Sequence, residues 1–316
     1  MRTNRFFFLW GDILKISKTK EELVNMYIDS LKEGKIPWRE RWVSSLNVNG
    51  ISDKEYKGIN QLLLSYVTYK EQYNDNRWFT YYQIKQKGYK LKDAKGKGIP
   101  VEFYSVYDIK NKKKIDFADY ERLVNERPET KVNYRLICNT SYVFNASLIE
   151  GVPEQDKYPY DKSIPANNFI KKIISKLGVK YSERGNEAFY SPTTDEIVLP
   201  ESKKFYDEYS YYATQLHEIS HSTGSKDRLN RNIDFKDKKS YAREELVAEI
   251  SSSFLMAKLG IVPESEDYNN HKSYIQSWIS ILEDKPNELF KAINESNKVY
   301  DYINDLVKVK DKEIER

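Results

Sequence analysis

Cysteine and histidine are both scarce in this chain. A single cysteine, Cys138, among 316 residues cannot close an intramolecular disulfide, so nothing in the sequence asks for an oxidising compartment. Long apolar runs are missing as well. An apolar stretch near the start, Phe6-Phe7-Phe8-Leu9-Trp10, is interrupted by Gly11 and Asp12, too short to span a membrane and without a small-residue cleavage site. These absences exclude a disulfide scaffold and a membrane-spanning protein, and leave the expectation of a cytoplasmic one. The length allows two domains, each burying its own core, from a polar but globular composition that is 32% charged and 14% aromatic.

Of the three histidines, two stand four apart in Gln215-Leu216-His217-Glu218-Ile219-Ser220-His221. The pattern predicts a helix over residues 209–223, on which positions four apart lie one turn along and on nearly the same face. His217 and His221 therefore offer two imidazoles to one ion. Glu218 follows the first ligand directly, which places its carboxylate beside the ion, where it takes a proton from water that the ion activates. A closed structural zinc site asks for four Cys or His ligands, and only Cys138 and His271 remain to supply them. An open site with three protein ligands fits better.

After Gly224 a polar segment leads to Ser240, and a second helix is predicted over residues 241–259, stopped by Gly260 and Pro263. Its first turns carry Glu244, Glu245 and Glu249. Glu245 and Glu249 share a face with Ala248, Ser252 and Met256, while Glu244 points about a third of a turn away. One explanation is a solvated acidic helix start favoured by the helix dipole. The other makes Glu245 the third ligand and Glu249 an acceptor that orients a ligating imidazole, or an alternative ligand. Such a set suits Zn²⁺ and also admits Mn²⁺ or Co²⁺. Tyr241 and His271 are candidate donors to a developing oxyanion.

Charge divides the chain. Residues 1–150 hold 27 Lys plus Arg against 19 Asp plus Glu, net +8, and residues 151–316 hold 25 against 29, net −4. A basic half that meets a polyanion is one reading of this; a solvated face is the plainer one. Bases of single-stranded nucleic acid stack on aromatic faces while Lys and Arg track the phosphates. Trp38, Arg39, Arg41, Trp42, Tyr56, Lys57, Arg77, Trp78, Lys95 and Lys97 supply both parts, although core burial competes for each aromatic and for Trp78 above all. Helices are also predicted over residues 20–32, 62–69 and 167–177, with a helical tail over 274–308. Short strands are expected at 100–109, 134–137, 143–146, 179–181, 187–190 and 196–199. The last of these, just ahead of the histidine helix, is either a sheet edge for an extended peptide or an ordinary strand.

H-E-x-x-H followed by a helix with E-x-x-x-[D/E] resembles the gluzincin branch of the zincin metallopeptidases. The longer run from Tyr211 to Gly224, then Asp227-Arg228-Leu229-Asn230-Arg231, then Tyr241 to Glu249, is similar to the ArdC-type antirestriction proteins of conjugative elements. Those join an N-terminal single-stranded DNA-binding domain to a C-terminal zincin domain. By position in that pattern Glu245 matches the third-ligand glutamate. Pro37-Trp38-Arg39 with Trp42, Tyr56-Lys57-Gly58-Ile59-Asn60, Trp78-Phe79-Thr80-Tyr81, the glycine-lysine turn and Val143-Phe144-Asn145-Ala146 fall in the same order as in the family's first domain. The resemblance spans residues 15–260 and implies an α+β fold in two domains. These are an α/β single-stranded DNA-binding domain over 15–152 and a gluzincin-type domain over 164–308. A linker at 153–163, an extension at 1–14 and a charged tail at 309–316 complete the chain. Two functions follow: a DNA-tethered peptidase acting on DNA-bound proteins, or a DNA-coating factor whose zinc site mainly steadies the fold.

Overall fold

A computed structural model describes residues 18–35, 46–154, 165–231, 233, 237–261 and 272–308. The first half forms α1 (Lys18–Lys32), β1 (Val48–Asn49), α2 (Gly58–Lys70), β2 (Arg77–Thr80), α3 (Tyr81–Gln86), β3 (Lys90–Leu91), β4 (Ile99–Asp108), β5 (Lys113–Ile115), α4 (Phe117–Glu126), β6 (Tyr134–Asn145) and β7 (Ile149–Glu150). The second half supplies α5 (Ala166–Leu177), β8 (Lys180–Glu183), β9 (Phe189–Ser191), β10 (Glu196–Leu199), α6 (Glu208–Ser222), α7 (Lys238–Leu259), α8 (Lys272–Asp284) and α9 (Asn287–Lys308). Among the described residues no helix is long and apolar enough to cross a membrane.

One unit consists of Asn47–Glu55 and Gln72–Glu154. Its main sheet has the order β1-β2-β6-β4-β5, antiparallel except where β1 lies beside β2. β6 is one strand of 12 residues, where the sequence pattern predicts two short ones. Its polar middle keeps pairing with β4, from Val143 opposite Ile99 to Tyr134 opposite Asp108, because a half-exposed antiparallel ribbon accepts polar side chains. Thr80 starts α3 with a capping box, accepting from the Gln83 amide at 3.3 Å while its own amide donates to the Gln83 side chain at 2.8 Å. This turns Ile84 inward against Phe79, Ala146 and Ile149.

The other unit holds α5 to α9 and the three-stranded sheet β8-β10-β9. It also takes α1 and α2, which the sequence places in the first domain. Leu23, Val24, Tyr27 and Leu31 of α1 and Leu62 of α2 share a core with Phe169, Leu216, Leu246 and Ile303. An amphipathic helix buries its stripe wherever a complementary face exists, so chain order does not fix its partner. α2 is further held by Asn297 of α9, whose side chain accepts from the Gly58 amide at 3.1 Å. β10 pairs with a strand on each side, so it is an interior strand; the edge next to α6 is β9. The predicted helical tail is two helices, broken at Lys285-Pro286, because proline cannot continue a helix.

The segment after α6 is tied back by Arg228. Its guanidinium donates to both carboxylate oxygens of Asp195, at 2.9 and 2.7 Å, and to the carbonyls of Ser222 and Leu177, at 2.8 and 3.1 Å. Asp195 also accepts from the Tyr190 hydroxyl at 2.8 Å. The bond from Arg228 holds the Asp195 carboxyl below the usual aspartate range. A depressed carboxylate stabilises the fold above its unfolded-state pKa, and that stabilisation fades as pH falls through the folded value. We predict that Arg228→Met lowers the unfolding free energy by about 2 kcal/mol at neutral pH, and that the gap from wild type narrows below about pH 4. Urea melts from pH 3 to 7 read both; a gap that does not change with pH removes the ion pair as its source.

Candidate metal centre

α6 is capped by Asp207, whose side chain accepts from the Ser210 amide at 2.7 Å, and runs to Ser222 against α7. One turn apart on its inner face, His217 and His221 point their Nε2 atoms at each other, 3.0 Å apart. From α7, Glu245 places Oε2 3.4 Å from the first and Oε1 3.4 Å from the second. Among the described residues these three are the group whose ligand atoms lie within 4.8 Å of one another. Donors around a tetrahedral ion with bonds of about 2.0–2.1 Å stand about 3.3–3.4 Å apart, so the arrangement fits one divalent ion.

The outer nitrogens are backed by carboxylates. His221 Nδ1 lies 3.1 Å from Glu244 Oε1. His217 Nδ1 lies 3.3 Å from Glu249 Oε1, an ion-pair distance without hydrogen-bond geometry. Glu244 is itself gripped by Arg231, which donates from Nε at 2.9 Å and from Nη2 at 2.5 Å. Arg231 also donates to Thr223 Oγ1 at 2.7 Å and to the Ser220 carbonyl at 2.8 Å, so the post-helix loop locks onto the last turn of α6. Gly224 leaves the room: a Cβ there would stand 2.9 Å from Arg231 Nη2.

Burial alone would lower both imidazole pKa values. For His217, Glu245 and Glu249 outweigh it and hold the ring well above its usual range. For His221, Glu244 and Glu245 do the same and raise it to about 9. Burial would likewise raise the carboxylates, yet His217 and His221 keep Glu245 far below its usual range, and His221 with Arg231 keeps Glu244 low. The centre thus attracts positive charge, which one divalent ion supplies with both imidazoles neutral.

Glu218, Thr214 and Tyr241 line the same cleft as the three donors, about 700 Å³ in volume. Its other wall is apolar, from Ala188, Phe189, Pro192, Pro200 and Phe205. The sequence gives Arg231 no role, and a helix-face count turns Glu244 away from Glu245 and leaves it only a fallback ligand; the signal for both is the Asp227-to-Arg231 stretch, whose arginine grips Glu244. His271, Trp38, Arg39, Arg41 and Trp42 lie outside the described residues.

One of the expected nucleic-acid contacts is corrected. Trp78 is fully buried, with Nε1 donating to Asn47 at 2.8 Å and its ring edge-on to Tyr73, so no face is open for stacking. Arg77 is committed to Asp75 at 2.6 Å and to the Pro153 carbonyl at 2.8 Å. Lys57 pairs with Asp301 at 2.6 Å, and it and the half-buried Tyr56 lie in the unit that carries the metal centre. Lys95 is exposed and Lys97 half-buried, beside a turn at Gly96.

A family model of zincin-like metallopeptidases matches residues 168–295, and one of the N-terminal domain of the anti-restriction factor ArdC matches residues 17–144. The crystal structure of the antirestriction ArdC protein from plasmid R388, metal-free, superposes with a TM-score of 0.71 at 28% identity, covering 92% of this chain and 98% of that one. This chain belongs to the ArdC-type family. The Mn(II)-bound R388 structure matches with a TM-score of 0.70 at 29% identity, over 94% of this chain and all of that one. A DNA primase TraC of Escherichia coli is 32% identical over 295 residues, 90% of this chain. The chain spans only about a fifth of that relative's length. This ArdC-type chain therefore has the family's two-domain α+β architecture, with a zincin-like domain whose donors suit a divalent metal.

The backing carboxylates generate a prediction. Glu244→Gln and Arg231→Met, which leave all three donors in place, weaken divalent-metal affinity by about 10–100-fold. Titration with Co²⁺ followed by absorbance reads this. Wild-type affinity in both variants would show that the outer partners do not set the ligands.

Proposed function

We propose that this ArdC-type chain binds single-stranded DNA through its basic first part and hydrolyses peptide bonds of proteins on that DNA. The observation that supports it most is the open donor set: three ligands at one end of a cleft large enough for a peptide, with a carboxylate beside them. A site meant only to steady the fold is usually closed by a fourth protein ligand. A bound divalent ion, Zn²⁺ or Mn²⁺ or Co²⁺, supplies Lewis acidity that polarises the scissile carbonyl and makes water more acidic.

The chain's own residues do the rest. Glu218 accepts the proton as water adds to the carbonyl carbon, and returns it to the amine nitrogen as the C–N bond breaks. Tyr241 lines the cleft with Glu245, which supports it as the donor to the oxyanion. β9 borders the cleft as the sheet edge, on which an extended peptide adds as a strand. The match of residues 17–144 to the ArdC N-terminal domain and the net +8 of residues 1–150 support the DNA reading.

Glu218→Gln is expected to keep the bound metal while hydrolysis of a casein or fluorogenic-peptide substrate falls about 10²–10⁴-fold. Metal content and initial rate are measured on the same preparation, with unchanged hydrolysis removing the peptidase assignment. Full protection of incoming DNA by this variant would instead make strand occupancy the protective act.

A further inference from the structure

Resting on the single-stranded DNA reading above, we infer that the strand lies on the face of the β4/β6 ribbon that carries Tyr142 and Tyr104, its phosphates running along the lysines between Lys85 and Lys97. The register fixes that face. Tyr142 is opposite Pro100, Thr140 opposite Glu102 and Cys138 opposite Tyr104, and alternate residues of a strand share a side. Tyr142 is 60% exposed and Tyr104 43% exposed, about 13 Å apart along the ribbon.

Both ends of this face are covered and the middle is not. At one end Phe79 and Phe144, which share the face, are packed by Ile84 of α3, Leu91 of β3 and Tyr89 between them. At the other end Val106 is fully buried, and the Tyr134 ring meets Tyr120 of α4 edge-on at 5.4 Å. Two exposed tyrosine rings lie between these ends with Leu136, 42% exposed, beyond Tyr104; Thr140, Cys138 and Glu102 interrupt them, so the face lacks the continuous apolar core of a protein-docking patch. Such rings are what base stacking uses.

The segment that leads into β4 is cationic. Residues 85–97 contain six lysines and one acid, Asp93. Lys85, Lys87, Lys90, Lys92 and Lys95 are exposed. The segment reaches the ring itself, since a Cβ on Gly98 would stand 3.5 Å from Tyr142 Cδ1. Glu102 lies on the platform between the two tyrosines and repels phosphate there, so bases face the ribbon and phosphates keep to the lysine segment. Phe103 is equally exposed, at 50%, but points to the opposite side.

The test uses the full chain with dye-labelled oligothymidine in fluorescence anisotropy across a salt series. Tyr142→Ala and Tyr104→Ala are each expected to weaken binding about tenfold with the slope of log K against log salt unchanged, as loss of stacking requires. Lys95→Gln with Lys97→Gln lowers that slope, and Phe103→Ala stays within about twofold of wild type. All these side chains are wholly or partly exposed, and thermal melting confirms that the variants fold. Wild-type affinity in both tyrosine variants, or an equal loss in Phe103→Ala, overturns the assignment of this face while DNA binding itself stands. A wild-type chain that does not bind the oligonucleotide overturns both.

Discussion

Three carboxylates buried on one helix constrain this molecule more than any other feature. Glu244, Glu245 and Glu249 of α7 are 4%, 5% and 0% exposed, and ionised groups persist at such depth only where positive charge meets them. α6 brings two imidazoles, the loop behind it brings Arg231, and the cleft has room for an ion. Each partner comes from a different stretch of chain, so meeting the charges also fixes how α6, the loop and α7 pack. The Ser251, Ser252 and Ser253 hydroxyls of α7 donate back to carbonyls three or four residues earlier, which satisfies buried polar groups without asking for another partner.

The sequence shows the inner part of this centre because the geometry is local. Two histidines four apart, with a glutamate after the first, can be read without knowing any tertiary contact. Glu245 needs one further step, the assumption that the second helix faces the first. Glu244 needs more. Its partner Arg231 sits 13 positions away in an irregular loop, and helical spacing says nothing about which loop side chain folds back. α7 is buried nearly all round from Ala242 to Ala257, so it carries no amphipathic stripe and its boundaries come only from its caps.

Aromatic residues in the first half are harder to read for the same physical reason. A tryptophan contributes the same apolar area to a core as to a stacking platform, and only neighbours decide which. Trp78 sits on a strand with paired strands on both sides and is covered. Tyr104 and Tyr142 lie where the ribbon runs between its two covered ends. Local pattern distinguishes these cases poorly, because β6 runs in blocks, apolar over residues 136–138, polar over 139–141 and apolar again over 142–144, while exposure follows what packs on each end.

Domain borders also resist reading from chain order. The unit with the five-stranded sheet is assembled from Asn47–Glu55 and Gln72–Glu154, so the chain leaves the metal-centre unit, enters the other, returns for α2, leaves again and is back before α5. α1 and α2 belong to the stretch that matches the ArdC N-terminal family model, yet their apolar faces fill the core beneath α6 and α7. Cutting after the sequence-level border near position 152 would strip Leu23, Tyr27, Leu31 and Leu62 from that core and expose the same residues on the released piece. At about 25 cal/mol per Å² of apolar surface, uncovering two helical faces costs energy on the scale of the roughly 5–15 kcal/mol by which a domain is ordinarily stable. The segment that carries the DNA-binding resemblance therefore supplies part of the core on which the metal centre is built.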